Sequence, residues 1–211
     1  MKIELKNIEK SFKKEKVLKE VNLTFHSGNL YAFIGPNGSG KTVLLKLICG
    51  LYVPSKGQVL YDDKEYNLMT QIFPNVRALI EKPCFFPNLT GFENLQLLAK
   101  LQNKIGSKEI LKALEIVNLI EEKDKKFAHY SLGMKQKLGL AQVFMESPQV
   151  MVLDEPFNGL DDESVKKVLQ YLIEEKENGK IILVSSHIVN DLEALAEKIY
   201  YFKEGQVIEQ S

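Results

Sequence analysis

Three stretches, LYAFIG (Leu30–Gly35), VMVLDE (Val150–Glu155) and KIILVSS (Lys180–Ser186), are apolar almost without a break and end in glycine, acid or serine. A strand covered on one face alternates apolar and polar residues, whereas a strand covered on both faces does not. These runs therefore predict strands of a buried parallel sheet. The last two are joined by SVKKVLQYLIEEK, in which Val165, Val168, Leu169, Leu172 and Ile173 recur at helical spacing and Gly179 stands beyond as a stop. That makes one strand-helix-strand unit. At 211 residues and 45% hydrophobic content, one compact unit with a sizeable core is expected.

Elsewhere the pattern changes. KIELKNI and KEVNLTF alternate, and HSGNL supplies a turn, so an antiparallel piece precedes the parallel core; GQVLYDD and the terminal IYYFKEGQVIEQ read the same way. From Glu93 to Val117 the spacing is helical, with Leu95, Leu98 and Leu101, then Ile110, Leu111, Leu114 and Val117 on the apolar face. EEKDKKFAH reads as a solvated connector before Tyr130. Cys49 and Cys84 follow no metal-ligand spacing and read as small core hydrophobes in a reducing compartment. The 28 basic residues balance the 28 acidic ones, which argues against nucleic acid as principal partner. No apolar run approaches the roughly 20 residues of a membrane helix.

The chemistry gathers where the apolar runs end. GPNGSGKT (Gly35–Thr42) follows one strand directly and precedes the helical VLLKLICGL. Small residues let consecutive backbone N–H groups turn inward, a helix N-terminus adds partial positive charge, and a lysine can reach terminal phosphates. Lys41 takes that role, and the Thr42 hydroxyl suits Mg²⁺. Asp154 and Glu155 end the second run; ligands of open α/β sheets bind at carboxyl ends of strands, so Asp154 meets the magnesium and Glu155 can polarise a water. His187 ends the third run at the same edge.

In order along nearly the whole chain, these residues resemble the ATP-binding subunit of an ABC transporter. GPNGSGKT matches the Walker A loop, VMVLDE Walker B, NGLD (Asn158–Asp161) the D-loop, His187 the switch histidine, and YSLGMKQ (Tyr130–Gln136) the signature usually written LSGGQ. The resemblance implies a P-loop NTPase core of α/β class with a mostly parallel sheet, an N-terminal antiparallel β subdomain and an inserted helical lobe. A single domain over 1–211 is expected, with 1–83 and 140–211 as catalytic core and about 84–139 as the lobe carrying the signature.

It further implies Glu155, His187 and Lys41 as catalytic residues. Nucleotide contacts would come from Phe12, Val17, Gly35, Pro36, Asn37, Gly38, Ser39, Gly40, Lys41, Thr42 and Val43, and in trans from Ser131, Gly133, Met134 and Asp161. Thr42, Glu81 and Asp154 would face the metal. Phe12 stands in the place of the aromatic residue that stacks on adenine; its other reading is a core phenylalanine. Tyr130 replaces leucine, Leu132 the first glycine and Met134 glutamine of the signature, and Glu81 replaces the glutamine at the entry to the helical lobe. Glu81, PNLTGFENL and YSLGMKQ resemble the bacitracin and lantibiotic export and immunity subgroup.

The expected cofactors are ATP and Mg²⁺. The expected partners are a membrane-spanning permease and a second ATP-binding subunit, a copy of this chain, on the cytoplasmic face of the membrane. A regulatory ATP switch on a membrane protein and a non-transport clamp on a macromolecule remain the alternatives at this level.

Overall fold

The uninterrupted apolar runs do become strands buried on both faces. The computed structural model describes residues 1–65, 75–187, 192 and 195–210. Its chain divides into two units, the first Met1–Ile80, Gln149–Glu155 and Glu175–Ser211, the second Glu81–Pro148 and Pro156–Glu174.

In the first unit, β1 (Lys2–Phe12), β2 (Glu15–His26), β4 (Lys56–Tyr61) and β5 (Lys64–Glu65) form an antiparallel sheet ordered β2-β1-β4-β5. The second sheet contains β3 (Asn29–Ile34), β6 (Val76–Leu79), β7 (Val150–Asp154), β8 (Ile181–Ser186), β9 (Lys198–Lys203) and β10 (Gln206–Gln210). Its order is β10-β9-β3-β8-β7-β6. Every pair in it is parallel except β9 with β10. The first strand of the terminal hairpin thus belongs to the parallel core, a pairing that local alternation cannot reveal.

Helix α1 (Lys41–Ile48) sends Leu44, Leu45, Leu47 and Ile48 into the core shared by both sheets. At its centre Phe25 of the antiparallel sheet packs edge-on against Tyr31 and Phe33 of β3, with ring centroids 4.9 and 5.8 Å apart. Edge-to-face pairs of this kind suit the ring quadrupoles.

The second unit is helical: α2 (Gly91–Gln102), α3 (Ser107–Ile116), α4 (Leu132–Phe144) and most of α5 (Asp162–Glu177). α4 runs unbroken across residue 140, so it stays whole in this unit. Thr90 starts α2 with a capping box: its hydroxyl accepts from Glu93 N–H at 3.1 Å, and Glu93 Oε2 accepts from Thr90 N–H at 2.8 Å. Asn103, at φ +52°, ends the helix.

Three local expectations are corrected. Leu101 is 77% exposed, because the helix turns Leu95 and Ala99 inward and leaves Leu97 and Leu101 outside. Cys84 is exposed, whereas burial pushes the Cys49 thiol up to about 12. The charged connector is not wholly solvated: Phe127 within it is buried, edge-on to Phe85 at 5.3 Å.

The tyrosine that departs from the signature has a physical reason. Tyr130 is buried, and its hydroxyl donates to Glu122 O at 2.9 Å. It fills the space a side chain on Gly91 would need, since a Cβ there would lie 2.1 Å from the Tyr130 hydroxyl oxygen. Desolvation pushes this phenol up to about 12. Tyr130→Phe leaves a carbonyl without its donor and is expected to lower unfolding stability by about 1 kcal/mol, read by urea titration. ATP turnover per folded chain should not change.

Candidate functional site

The parallel strand order decides which residues meet. β8 lies between β3 and β7, pairing Ile34 with Ser186 and Ser185 with Asp154. The loop after β3, the carboxylates after β7 and His187 after β8 consequently emerge from three adjacent strand ends.

Gly35–Gly40 turns directly into α1, and Gly40 adopts φ +110°. This backbone excludes L side chains, and a Cβ would also sit 2.8 Å from Leu18 Cδ2. β2 thereby closes one wall of a hollow of about 210 Å³ lined by Val17, Asn37 to Val43, Asp154 and Glu155. Gly35 and Pro36 contribute carbonyls to the same loop: Lys41 Nζ donates to Gly35 O at 2.6 Å and to Pro36 O at 3.3 Å. Desolvation lowers the Lys41 pKa, opposed by attraction to Glu155 and Asp154. The first N–H groups of α1 have no intrahelical acceptor.

Thr42 Oγ1 donates to Asp154 Oδ2 at 2.8 Å, and Ser185 Oγ donates to Asp154 Oδ1 at 2.5 Å. Ser185 also fixes the next residue, because Glu155 N–H donates to its hydroxyl at 3.0 Å and its carbonyl at 3.2 Å. Glu155 sits at φ +49°, a left-handed conformation that is uncommon for a non-glycine residue. Its Oε2 lies 2.7 Å from His187 Nδ1 and accepts from His187 N–H at 3.3 Å. With Glu155 ionised the carboxylate can only accept, which makes Nδ1–H the donor of this pair.

Phe12 is 40% exposed, which excludes the core reading. It meets Tyr52 edge-on at 5.4 Å, with Lys10 Nζ 5.0 Å from its ring. It is not among the residues lining the hollow, whereas Val17 and Val43 are.

The remaining predicted site residues lie in the second unit. Ser131 is exposed and caps α4, accepting from Met134 N–H at 3.2 Å. Gly133 packs so closely on the loop after Glu155 that a Cβ would lie 2.3 Å from Gly159 O. Leu132, between them, is 69% exposed. Asp161 accepts from Lys137 Nζ at 2.7 Å and from Ser164 N–H at 2.9 Å, so the carboxylate both pairs with α4 and caps α5. Glu81 is exposed at φ +63° and opens this unit.

Ser185, which holds Asp154 and Glu155, and Lys137, which holds Asp161, had no distinctive sequence pattern. Ser185 was visible only as one of two serines before His187, and Lys137 only as a lysine on the signature helix.

The residues present fit a magnesium-bound nucleoside triphosphate. Ser39 Oγ is buried in the loop without a hydrogen-bond partner among the described residues, beside a buried ammonium and the positive end of α1. Oxygen donors on Thr42 and Asp154 suit a hard divalent cation.

Fold and site together define a P-loop nucleotide-binding ATPase cassette. The family pattern described as ABC transporter matches residues 18–158. The bacitracin transport ATP-binding protein BcrA of Enterococcus faecalis is 40% identical over 211 residues, 99% of this chain and 68% of that protein. The lantibiotic transport ATP-binding protein SrtF of Streptococcus pyogenes is 32% identical over 206 residues, 98% of this chain and 89% of its own. Among solved structures, the ATP-binding cassette MJ0796, a dimer in a post-hydrolysis state bound to ADP and Pi, superimposes with TM-score 0.90. It is 27% identical, with 99% and 98% of the two chains covered. The chain belongs to the ABC transporter family, as an ATP-binding subunit.

Proposed function

We propose that the chain is the Mg²⁺-dependent ATPase of an exporter that moves a drug or peptide, of the bacitracin or lantibiotic kind, through a separate membrane subunit. The observation that carries this reading is the convergence of Lys41, the Thr42–Asp154 pair, Glu155 and His187 at three adjacent strand ends. The relatives named for bacitracin and lantibiotic transport support the cargo class.

Two copies work as a pair, each nucleotide held between the Gly35–Thr42 loop of one and the Ser131 segment of the other. Phosphoryl transfer to water needs little covalent chemistry, so positioning and charge neutralisation lower most of the barrier. Lys41 leaves its loop carbonyls for the terminal phosphates. Ser39 donates its buried hydroxyl, and Phe12 stacks on the base. Thr42 and Asp154 would hold the magnesium and Glu81 would sense it; the ion would supply neutralisation of charge on the phosphate oxygens. Ser131, Gly133 and Met134 contact the partner's nucleotide. Glu155 orients the attacking water and accepts its proton, and His187 steadies both Glu155 and the γ-phosphoryl charge.

Among the described residues no helix is long and apolar enough to cross a membrane. The proposed seat for the permease is a hollow of about 350 Å³ lined by Cys84, Phe85, Phe86, Asn94, Leu97, Leu98 and Gln142. Phe86 is 60% exposed at its rim. Buried Asn94 holds this loop to α2, accepting from Phe86 N–H at 2.9 Å and donating to Phe86 O at 3.1 Å. Docking there puts the chain on the cytoplasmic face of the membrane.

The test is a pull-down from detergent-solubilised host membranes with the Glu155→Gln protein and Mg-ATP. A multi-span membrane protein should be recovered, and Phe86→Asp should lose it while basal ATP turnover persists. Recovery of ribosomes in place of a membrane protein would overturn the transport reading.

A further inference from the structure

The loop that follows Glu155 is fastened to the signature helix at three points. Gln136 Nε2 donates to Pro156 O at 3.2 Å, Gly133 abuts Gly159 O, and Lys137 Nζ donates to Asp161 Oδ2. Lys137 is the least expected of these, a lysine only 9% exposed. Removing an ammonium from water is costly unless it is paired and hydrogen-bonded. Here it is paired with Asp161 and also reaches Asn118 O at 3.4 Å.

Asp161 is committed as firmly. Its Oδ1 accepts from Ser164 N–H, and the Ser164 hydroxyl lies 2.9 Å from each carboxylate oxygen. Lys137, then Ser164, holds this carboxyl well below the usual range. The result is a chain of contacts from α4 through the Pro156–Asp161 loop to the N-terminus of α5.

We propose that Lys137 is a positioning residue for ATP hydrolysis: by gripping Asp161 it makes the signature helix and the Pro156–Asp161 loop one rigid piece. Engagement of Ser131 with the partner's nucleotide is then felt at Glu155, which is bonded covalently to Pro156. This rests on the reading that Ser131 closes the partner's site. A pair that served stability alone would be replaceable by apolar side chains with little loss of function. A pair that transmits position would not.

The experiment compares Lys137→Met, Lys137→Arg, Asp161→Asn and the Met/Asn double variant. Lys137→Met keeps chain length and removes the charge; Asp161→Asn keeps an acceptor for the Ser164 cap. We expect Lys137→Met to lower kcat at least tenfold while the Kd of the isolated chain for a fluorescent ATP analogue stays within threefold. Lys137→Arg should restore most of kcat, and the double variant should be no worse than the worse single one, as for residues acting as a unit. Native kcat in Lys137→Met, or losses that simply follow the melting temperatures of the four proteins, would overturn the inference.

Ser131→Ala in the Glu155→Gln background separates the two readings. If the Mg-ATP dimer survives that substitution, the shared-site reading fails. If the dimer is lost while Lys137→Met turns over normally, only the role of Lys137 fails.

Discussion

Replacing Glu155 with Gln should lower kcat by a factor of about 10²–10⁴, the range that one positioned general base contributes, while nucleotide binding persists. The amide has the shape of the carboxylate and still offers an oxygen to His187 Nδ1–H, now 2.7 Å from Glu155 Oε2. It cannot accept a proton from water. The backbone that aims the side chain is fixed independently by Ser185, whose carbonyl and hydroxyl both accept from Glu155 N–H. The variant should therefore keep its geometry and lose only the proton transfer. Phosphate release under saturating Mg-ATP gives kcat, and light scattering after size exclusion shows whether a two-chain complex accumulates with ATP. A monomeric profile together with unimpaired turnover would reject Glu155 as the base.

Lys41→Ala has the second large expected effect, on binding. Two charge-assisted hydrogen bonds from an ammonium to phosphate oxygens are each worth about 1.5–3 kcal/mol, so nucleotide affinity should fall by a factor of about 10² or more. The same ammonium is buried and bound to Gly35 O and Pro36 O. Losing those bonds is offset by no longer burying a cation, and the melting temperature without nucleotide should change little. The rise in melting temperature on adding Mg-ATP should disappear. An undiminished shift would remove Lys41, and with it the proposed cradle, from the site.

Much of this site could be read from sequence because its parts are local. The Gly35–Thr42 loop needs small residues, a positive φ at Gly40 and a helix immediately after it, and all of that is written in eight consecutive positions. Asp154 and Glu155 announce themselves by ending an apolar run. Ser185 did not, because a serine at the end of a buried strand carries no pattern; its importance comes from lying opposite Asp154 across a strand pair far apart in the chain. Leu101 misled for the opposite reason, fitting the helical period on a side of α2 that the unit leaves exposed.

The sequence by itself determined the class of the fold, the nucleotide loop, the strand-end carboxylates and the capped signature helix, since backbone sterics, hydrophobic period and helix capping act over a few residues. Tertiary structure alone decided that β8 enters between β3 and β7, that β9 joins the parallel sheet, and that Lys137 holds Asp161. Strand order and an ion pair between distant residues, one of them a buried lysine, depend on which distant segments pack together. That choice is made by the burial of whole faces, to which no short window of sequence has access.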